Sequence, residues 1–233
     1  MPIFNQSDLV SNAINSIRNQ TMQDWELIII SDGSDDIVKL EQVLEKFNDK
    51  RIGLIKIDRA GLVVARNAGN FVAKADVIAM QDADDLSMPD RLEKCLKEIK
   101  NGADIVYHGL YTNMWDIKFN CIGREYIAGQ PFNKWKLLQG QYIPGACVFR
   151  KNCWEKKPFR LETQYAFDYM MHLDWAFSGF KYKVINEGLY EYVRHANSAS
   201  IEFERSGQRQ QSFEEIKKIM KSEYNQEVKL CTP

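Results

Sequence analysis

Two apolar strands that each end in a run of acidic residues constrain the fold more than any other feature of this sequence. Residues 25–30 are almost continuously apolar and rich in isoleucine, without the alternation of a half-exposed strand, which indicates a strand covered on both faces. It ends in the polar turn 31–36, and the shorter apolar segment 77–80 ends in a second acidic turn, 81–85. Ligands of parallel sheets bind at the carboxyl ends of strands, so we expect both turns to face one crevice.

Strand and helix patterns alternate through the first half of the chain, which predicts an α/β fold: a mixed, mostly parallel sheet flanked by helices. Residues 115–141, rich in aromatics that include Trp115, Tyr126, Phe132 and Trp135, are predicted to leave the sheet. A charged helix over 213–224 is predicted to pack outside the core. We therefore expect one domain over residues 1–205 and a helical tail over 206–233. Further strands are predicted at 52–57, 103–107, 143–149 and 183–192, and further helices at 37–47, 64–75 and 168–177.

The beginning of the sequence looks like the tail of a first strand whose apolar part is missing, so we expect that either the start is truncated or the initiator is misassigned. Residues 1–5 carry little of the apolar run that a buried strand needs. A parallel sheet without most of that strand is expected to expose apolar surface and unpaired backbone groups.

Composition excludes several classes of protein. The 31 Lys and Arg residues balance 32 Asp and Glu residues, a net charge of -1, which gives no support to a nucleic-acid partner. The five cysteines are scattered without a CxxC pair, which favours a reducing compartment such as the cytoplasm over a disulfide framework. No apolar run is long enough for a membrane span. The dinucleotide, P-loop, zincin and hydrolase motifs are absent.

The acidic turn of Asp82, Asp84 and Asp85 is the sharpest candidate site. Three carboxylates so close together repel one another, and a hard divalent cation would relieve that repulsion. Mg²⁺ and Mn²⁺ often take one or two carboxylates and complete their shell with substrate phosphate oxygens. The alternative is a solvated acidic loop in which Asp85 caps the next helix, and spacing alone leaves both interpretations open.

Asp32 and Arg66 are candidates at two other positions. Asp32 and its neighbouring serines can bond a ligand or the local backbone, in a turn that Gly33 allows to be tight. Arg66, near the start of a helix, can contact a phosphate. A plain turn and a surface salt bridge are the respective alternatives.

Asp168 and His195 are candidates in the second half. Asp168 begins an aromatic, Met-rich helix, where partial burial would suit a carboxylate to act as a general base. The alternative is an acidic residue favoured by the helix dipole. A lone histidine is usually structural, but Arg194 and His195 beside a phosphate site would have a role.

Taken in order, these segments resemble the family 2 glycosyltransferases, inverting enzymes of the GT-A fold that carry a DxD motif. Each match is weak alone, but the ordered set covers about residues 2–200. The matching segments are Pro2-Ile3-Phe4-Asn5, Gln20-Thr21 with residues 24–36, Gly61 with Ala65-Arg66-Asn67-Ala68-Gly69, Gln81-Asp82-Ala83-Asp84-Asp85, Asp168-Tyr169, and residues 192–200.

The resemblance implies a role for each matching residue. The sites implied for the nucleotide-sugar, in most cases a UDP-sugar, are Pro2, Phe4, Asn5, Asp32, Arg66, Asp82, Arg194 and His195, with Asp32 on the base and Phe4 packing near it. Asp84, together with Asp82, would ligate Mn²⁺ or Mg²⁺ at the diphosphate, and Asp168 would be the catalytic base. The acceptor would be a glycan or lipid-linked hydroxyl in surface polysaccharide synthesis, which allows peripheral association with the inner face of the membrane and oligomers. Trp115, Tyr126, Phe132 and Trp135 would shape the acceptor side, since aromatic faces suit sugar rings; the alternative, and the commoner use of such residues, is core packing.

Two residues depart from the family pattern. Ser31 stands where the first aspartate of the DDGS turn is usual, and Phe167 stands where a glutamate usually precedes the base. The second change makes the site more apolar. It either raises the pKa of Asp168 or moves the base elsewhere, for which Asp174 is the candidate.

Three other functions are compatible with parts of the pattern. A metal-dependent nucleotidyltransferase also needs carboxylates at strand ends, but it releases pyrophosphate. A degenerate transferase homologue would bind glycan without turnover. A receiver-like signalling domain has an acidic pocket, but it is about half this length and would not need the aromatic excursion or the Arg194-His195 tail.

Overall fold

The computed structural model describes residues 1–115, 121–195, 198, 203 and 207–229. The expected motif positions 196, 197, 199 and 200 lie outside the described residues. The strands are β1 (Pro2–Ile3), β2 (Leu27–Asp32), β3 (Ile52–Ile57), β4 (Val77–Ala79), β5 (Leu86–Ser87), β6 (Ile105–Trp115), β7 (Cys121–Ile127), β8 (Val148–Arg150) and β9 (Tyr182–Arg194). The helices are α1 (Val10–Arg18), α2 (Ile37–Phe47), α3 (Leu62–Val72), α4 (Arg91–Lys100), α5 (Lys134–Leu137), α6 (Lys151–Lys156), α7 (Phe167–Phe177) and α8 (Gln208–Tyr224), with a 3₁₀ segment at Leu161–Ala166.

The strands form two sheets of different character. The first has the order β1-β2-β3 and is parallel throughout. The second has the order β4-β8-β6-β9-β5 with β7 paired to β6, and its pairs are antiparallel except for β6 with β9. The predicted mixed α/β architecture is confirmed, but the mostly parallel arrangement is limited to the first sheet.

The departure from the predicted sheet is concentrated in β6 and β7. The predicted strand at 103–107 is the start of a much longer strand, β6, and part of the predicted excursion returns beside it as β7. Only residues 116–120 separate the two, too few for a parallel crossover, so the pair is antiparallel. The predicted strand at 143–149 is limited to β8, because the polar and glycine-containing residues before it form an irregular segment.

The first strand is short but paired. Pro2 lies opposite Ile30 and Ile3 opposite Ser31 in parallel register, and the Ile30 amide donates to the Met1 carbonyl at 2.9 Å. Ile3 is 2% exposed. The expected apolar exposure at this strand is therefore not observed.

The largest core cluster surrounds α7. Nine of its eleven residues are buried, and Trp175 packs against Phe149 with ring centroids 4.7 Å apart. Helix α8 joins the same cluster through Ile216 and Met220, both 0% exposed. The prediction that this helix packs outside the core is wrong, because its charged residues occupy one side while these two apolar side chains point inward. The division at residue 205 stays a prediction.

In the described residues no helix is both long and apolar enough to cross a bilayer. Cys95, Cys147 and Cys153 are buried free thiols.

Candidate functional site

Asp32 ends β2 and anchors the loop that follows β3. Its carboxylate accepts hydrogen bonds from Arg59 Nη1 at 2.8 Å, the Ala60 amide at 2.7 Å and the Gly61 amide at 3.0 Å. The side chain is 3% exposed. Asp32 therefore meets this loop rather than the open crevice, a difference from the expected direct contact with a nucleotide base.

Arg59 and Phe4 form the exposed surface above Asp32. The Arg59 guanidinium carbon lies 3.4 Å from the Phe4 ring centre, and the side chain of Arg59 is 54% exposed. Gly33, with φ of 65°, allows the close approach, because a Cβ there would lie 2.8 Å from the Arg59 backbone nitrogen. Sequence analysis missed Arg59, although a cation at the end of the strand parallel to β2 was a usable signal.

Pro2 and Asn5 position the first strand and the turn after it. Pro2 is buried in β1 opposite Ile30. Asn5, with φ of 52°, exchanges hydrogen bonds with Asp35: its Nδ2 donates to Oδ2 at 3.0 Å, and its Oδ1 accepts from the Asp35 amide at 2.8 Å. Both residues thus hold the segment that carries Phe4.

The acidic turn is brought together with His195 and the first strand. His195 Nε2 lies 3.0 Å from Asp84 Oδ2, and Gln6 Nε2 donates to the same oxygen at 3.3 Å. Arg66 Nη2 donates to Asp82 Oδ1. The structure therefore joins four predicted residues in two pairs, Asp84 with His195 and Asp82 with Arg66. It adds Gln6, which the sequence analysis did not identify.

The carboxylate oxygens of this turn fit a hard divalent cation whose coordination shell is completed by a substrate. Within the described part of the chain, Asp82 Oδ2 and Asp84 Oδ1 accept no hydrogen bond, and the two side chains are 36% and 16% exposed. Among the residues that the structure describes, no three His, Cys, Asp or Glu side chains cluster so that they could hold a metal ion by themselves. Two carboxylate oxygens plus phosphate oxygens is the kind of set that Mg²⁺ and Mn²⁺ use.

Asp85 is a buried support of the turn. It is 1% exposed and accepts a hydrogen bond from the Val193 amide at 2.8 Å. Burial, together with the neighbouring charges of Asp84 and Asp82, raises its pKa well above the usual value. The alternative that Asp85 caps the next helix is wrong, because Asp90 occupies the N-cap of α4.

Asp168 lies in the first turn of α7, half-buried. Gln141 Nε2 donates to its Oδ2 at 2.6 Å, and Gly145 packs so closely that a Cβ there would lie 3.0 Å from the Asp168 Cβ. The preceding Phe167 presents its ring to Arg66, whose guanidinium carbon is 4.8 Å from the ring centre. Arg66 thus contacts both the acidic turn and the residue next to Asp168.

Asp174 has a structural environment. It is 2% exposed and accepts from Arg160 Nε at 2.7 Å, Arg160 Nη2 at 2.9 Å and Tyr224 Oη at 2.7 Å. Every oxygen is occupied by a partner that links α7 to α8, so the alternative base has no access to a substrate.

The remaining predicted residues lie on the second sheet and on the segment after β7 that contains α5. Arg194 is exposed at the end of β9, opposite Met114 of β6. Of the aromatic residues expected on an acceptor side, Tyr126 and Trp135 are 44% and 54% exposed, whereas Phe132 stacks on Tyr182 at 4.1 Å. The side chain of Trp115 lies outside the described residues.

The sequence matches the model of a known family. The sequence model described as Glycosyl transferase family 2 matches residues 1–189. The chain therefore belongs to glycosyl transferase family 2.

Two related proteins are 28% and 33% identical to the chain over the residues that align. A chondroitin synthase of Pasteurella multocida is 28% identical over 206 residues, 86% of this chain and 21% of that protein. The UDP-Glc:alpha-D-GlcNAc-diphosphoundecaprenol beta-1,3-glucosyltransferase WfgD of Escherichia coli is 33% identical over 141 residues, 60% of this chain and 53% of that protein. The chain thus spans about a fifth of the synthase and about half of the glucosyltransferase.

Solved structures share the fold at low sequence identity. S. aureus TarS 1-349 in complex with UDP-GlcNAc has a TM-score of 0.69 at 15% identity, covering 95% of this chain and 65% of that one. The mannosyltransferase PcManGT from Pyrobaculum calidifontis, in complex with GDP-Man and Mn²⁺, has a TM-score of 0.68 at 14% identity, covering 92% and 61%. These neighbours support the predicted GT-A fold.

Proposed function

We propose that this chain transfers a sugar from a nucleotide-sugar, a UDP-sugar by preference, to the hydroxyl of a glycan or lipid-linked acceptor, with inversion. The observation that carries the proposal is the contact of Asp82 with Arg66, Asp84 with His195, and Arg66 with the residue before Asp168. Family membership and the nucleotide-sugars bound to TarS and PcManGT support it.

The nucleotide end of the donor would lie on the surface made by Arg59 and Phe4. The flat guanidinium and ring can pack against a base, and Asp32 fixes Arg59 from below. Asp32 therefore acts through Arg59 and the loop amides. Pro2 and Asn5 hold the strand that carries Phe4, so they are positioning residues of the same surface.

The diphosphate would lie over the acidic turn. Asp82 and Asp84 would hold Mn²⁺ or Mg²⁺, which as a Lewis acid offsets the negative charge that the leaving diphosphate gains. Gln6 and His195 orient Asp84, and Arg66 orients Asp82. The exposed cation Arg194 stands on the strand that leads to His195, where it can approach the same phosphates.

Asp168 would accept the proton of the acceptor hydroxyl as that oxygen attacks the anomeric carbon. Gln141 holds one oxygen of Asp168 from one side, and Gly145 leaves no room for the carboxylate to retreat. Base and leaving group on opposite sides of the sugar would give inversion. The stretch with Tyr126 and Trp135 would meet the acceptor, and a surface-polysaccharide role follows the synthase and glucosyltransferase relatives.

A donor screen tests the proposal. We expect release of nucleoside diphosphate from one class among UDP-, GDP- and dTDP-sugars with Mn²⁺ or Mg²⁺, and its loss with a chelator. Asp84→Asn should lower turnover by about 100-fold, because a metal ligand contributes several kcal/mol of charge stabilisation. The matched control Asp90→Asn, a carboxylate that pairs with Lys94 on the surface, should retain wild-type turnover.

Two outcomes would contradict the proposal in different ways. Pyrophosphate as the released product would indicate a nucleotidyltransferase. Glycan binding without any nucleotide product, across all donors, would indicate a homologue that has lost turnover.

A further inference from the structure

Arg91 is a fully buried arginine whose hydrogen-bond acceptors are all uncharged. It opens α4 and is 0% exposed. Its guanidinium donates to His108 Nε2 at 3.0 Å, Ser87 Oγ at 2.9 Å and the Met80 carbonyl at 2.9 Å. A guanidinium is costly to bury, and one held by neutral groups is placed where its planar array of donors is needed.

The first arm of this array supports the acidic turn. Ser87 Oγ accepts from Arg91 and donates to Gln81 Oε1 at 2.7 Å. Gln81 Nε2 in turn donates to the carbonyls of Asp82 at 3.0 Å and Asp85 at 2.8 Å. A buried chain of hydrogen bonds therefore runs from Arg91 through Ser87 and Gln81 to the backbone of the acidic turn. The bond from Arg91 to the Met80 carbonyl holds the residue just before that turn.

The second arm reaches the segment beside Asp168. Arg91 Nη2 makes a longer contact of 3.4 Å with the Ala146 carbonyl. The next residue along, Cys147, accepts at its carbonyl from the Met80 amide at 3.0 Å. The preceding residue is Gly145, which packs on the Asp168 side chain. One side chain thus contacts the strand end before the acidic turn and the segment against which Asp168 packs.

The partner His108 is locked in one form. Burial, with the charge of Arg91, lowers the pKa of His108 to about 3, so the ring is neutral near pH 7. Its Nε2 accepts from Arg91, so Nδ1 carries the proton and donates to the Gly109 carbonyl at 2.9 Å. The guanidinium is also covered by the Tyr190 ring, 4.7 Å away, and the Tyr190 hydroxyl accepts from the Asp82 amide at 3.1 Å.

We propose that Arg91 is a positioning residue: through Ser87 and Gln81 it fixes the carboxylates of Asp82 and Asp84, and through Ala146 it fixes their placement relative to Asp168. The inference rests on the proposed function, since it concerns the same site. Arg91 touches no substrate in this arrangement. Its effect is carried by the backbone carbonyls of the turn and by the segment at Gly145.

Ser87→Ala is the sharpest test, because it removes one hydroxyl from the middle of the chain and leaves every carboxylate in place. We expect the Mn²⁺ concentration for half-maximal binding in the presence of UDP, measured by electron paramagnetic resonance, to rise about 10-fold. In steady-state assays kcat should fall by a similar factor, with a smaller change in the KM for acceptor. Arg91→Lys keeps the charge but not the planar array, and it should show a larger change in the same direction.

Ser212→Ala is the matched control. Ser212 is also buried, 2% exposed, and its hydroxyl accepts from the Tyr165 amide at 3.2 Å, on the side of the molecule where α8 packs. It should lower the melting temperature about as much as Ser87→Ala and leave Mn²⁺ binding within about 2-fold of wild type. This separates positioning from a general loss of stability.

The outcomes distinguish this inference from the proposed function. Wild-type protein that binds no Mn²⁺ with UDP and releases no nucleoside diphosphate from any donor contradicts both. Wild-type binding with unchanged Mn²⁺ affinity and kcat in folded Ser87→Ala contradicts the inference alone. Should Arg91→Lys fail to fold, the comparison of Ser87→Ala with Ser212→Ala still decides.

Discussion

At the residue scale, two aspartates of one helix have opposite environments. Asp168 is half-buried and contacts Gln141 and Gly145, whereas Asp174 is fully enclosed by Arg160 and Tyr224. Both aspartates lie on α7, and the sequence alone does not distinguish their environments. The residues that enclose Asp174, Arg160 and Tyr224, come from other segments of the chain. Their chemistry is therefore assigned by the packing around α7.

Substitution of each aspartate by asparagine should give a different loss. Asp168→Asn keeps its shape and is expected to lower turnover by about 100-fold or more, the contribution of a general base, with little change in unfolding free energy. Asp174→Asn removes the charge that pairs with Arg160 and should cost about 3 kcal/mol of stability. Turnover assays and urea unfolding of both variants check this; a stable Asp174→Asn without activity would reverse the two roles.

The candidate site was only partly predictable from residues alone. Asp82, Asp84, Arg66 and His195 were found from motif order, and the structure brings them into contact. Arg59 escaped, because its importance comes from stacking on Phe4, and single-sequence patterns do not carry contacts between distant segments. Asp32 was expected in the crevice but is covered by the loop after β3, a backbone arrangement that composition does not encode.

At the element scale, strand bounds were predicted well where the sequence pattern was clear and poorly where it was weak. The boundaries of β3 match the predicted 52–57, because this mainly apolar segment lies between the polar residues 48–51 and 58–59. The length of β6 was underestimated, because its second half contains Tyr, Thr and Asn and lacks a clear strand pattern. That half pairs with both β7 and β9. Cross-strand neighbours on both sides stabilise a segment whose own pattern is weak.

Helix α8 offers an element-scale test of the core. Ile216→Ala removes a side chain that is 0% exposed within the largest cluster, so we expect a loss of about 2–5 kcal/mol in unfolding free energy. Val38→Ala on α2, where the side chain is 64% exposed, should change it by less than about 0.5 kcal/mol. Denaturant unfolding of the two variants makes the comparison. Equal, small effects would mean that α8 packs loosely against the rest.

At the scale of the whole molecule, two buried histidines couple stability to pH. Burial lowers the pKa of His172 to about 4 and, with the nearby charge of Arg91, that of His108 to about 3. In the unfolded chain both histidines have the ordinary pKa of about 6.5. Between about pH 4 and 6.5 the native histidines therefore stay neutral while the unfolded ones bind protons. The stability that the neutral histidines contribute is complete above about pH 6.5 and is lost as the pH falls toward 4.

We expect the unfolding free energy to fall with decreasing pH by about 1.4 kcal/mol per pH unit for each of these histidines, between about pH 6 and 5. Urea titrations at about pH 7, 6 and 5 measure the slope. His172→Gln should reduce that slope by one histidine's share while it retains the hydrogen bond to the Pro144 carbonyl. An identical slope in the variant would assign the acid sensitivity to carboxylates elsewhere.

β6 and β7 form a long antiparallel ribbon at one edge of the second sheet. Its base is fixed by β9, which pairs with β6 as far as Met114 opposite Arg194, and His195 follows directly. Among the described strands β7 pairs with β6 alone, on the edge away from β9. Under the proposed function, exchange of β7 between homologues would alter the acceptor side while β6 and β9 keep Arg194 and His195 in place. Such an exchange is therefore a rational route to enzymes with a changed acceptor preference.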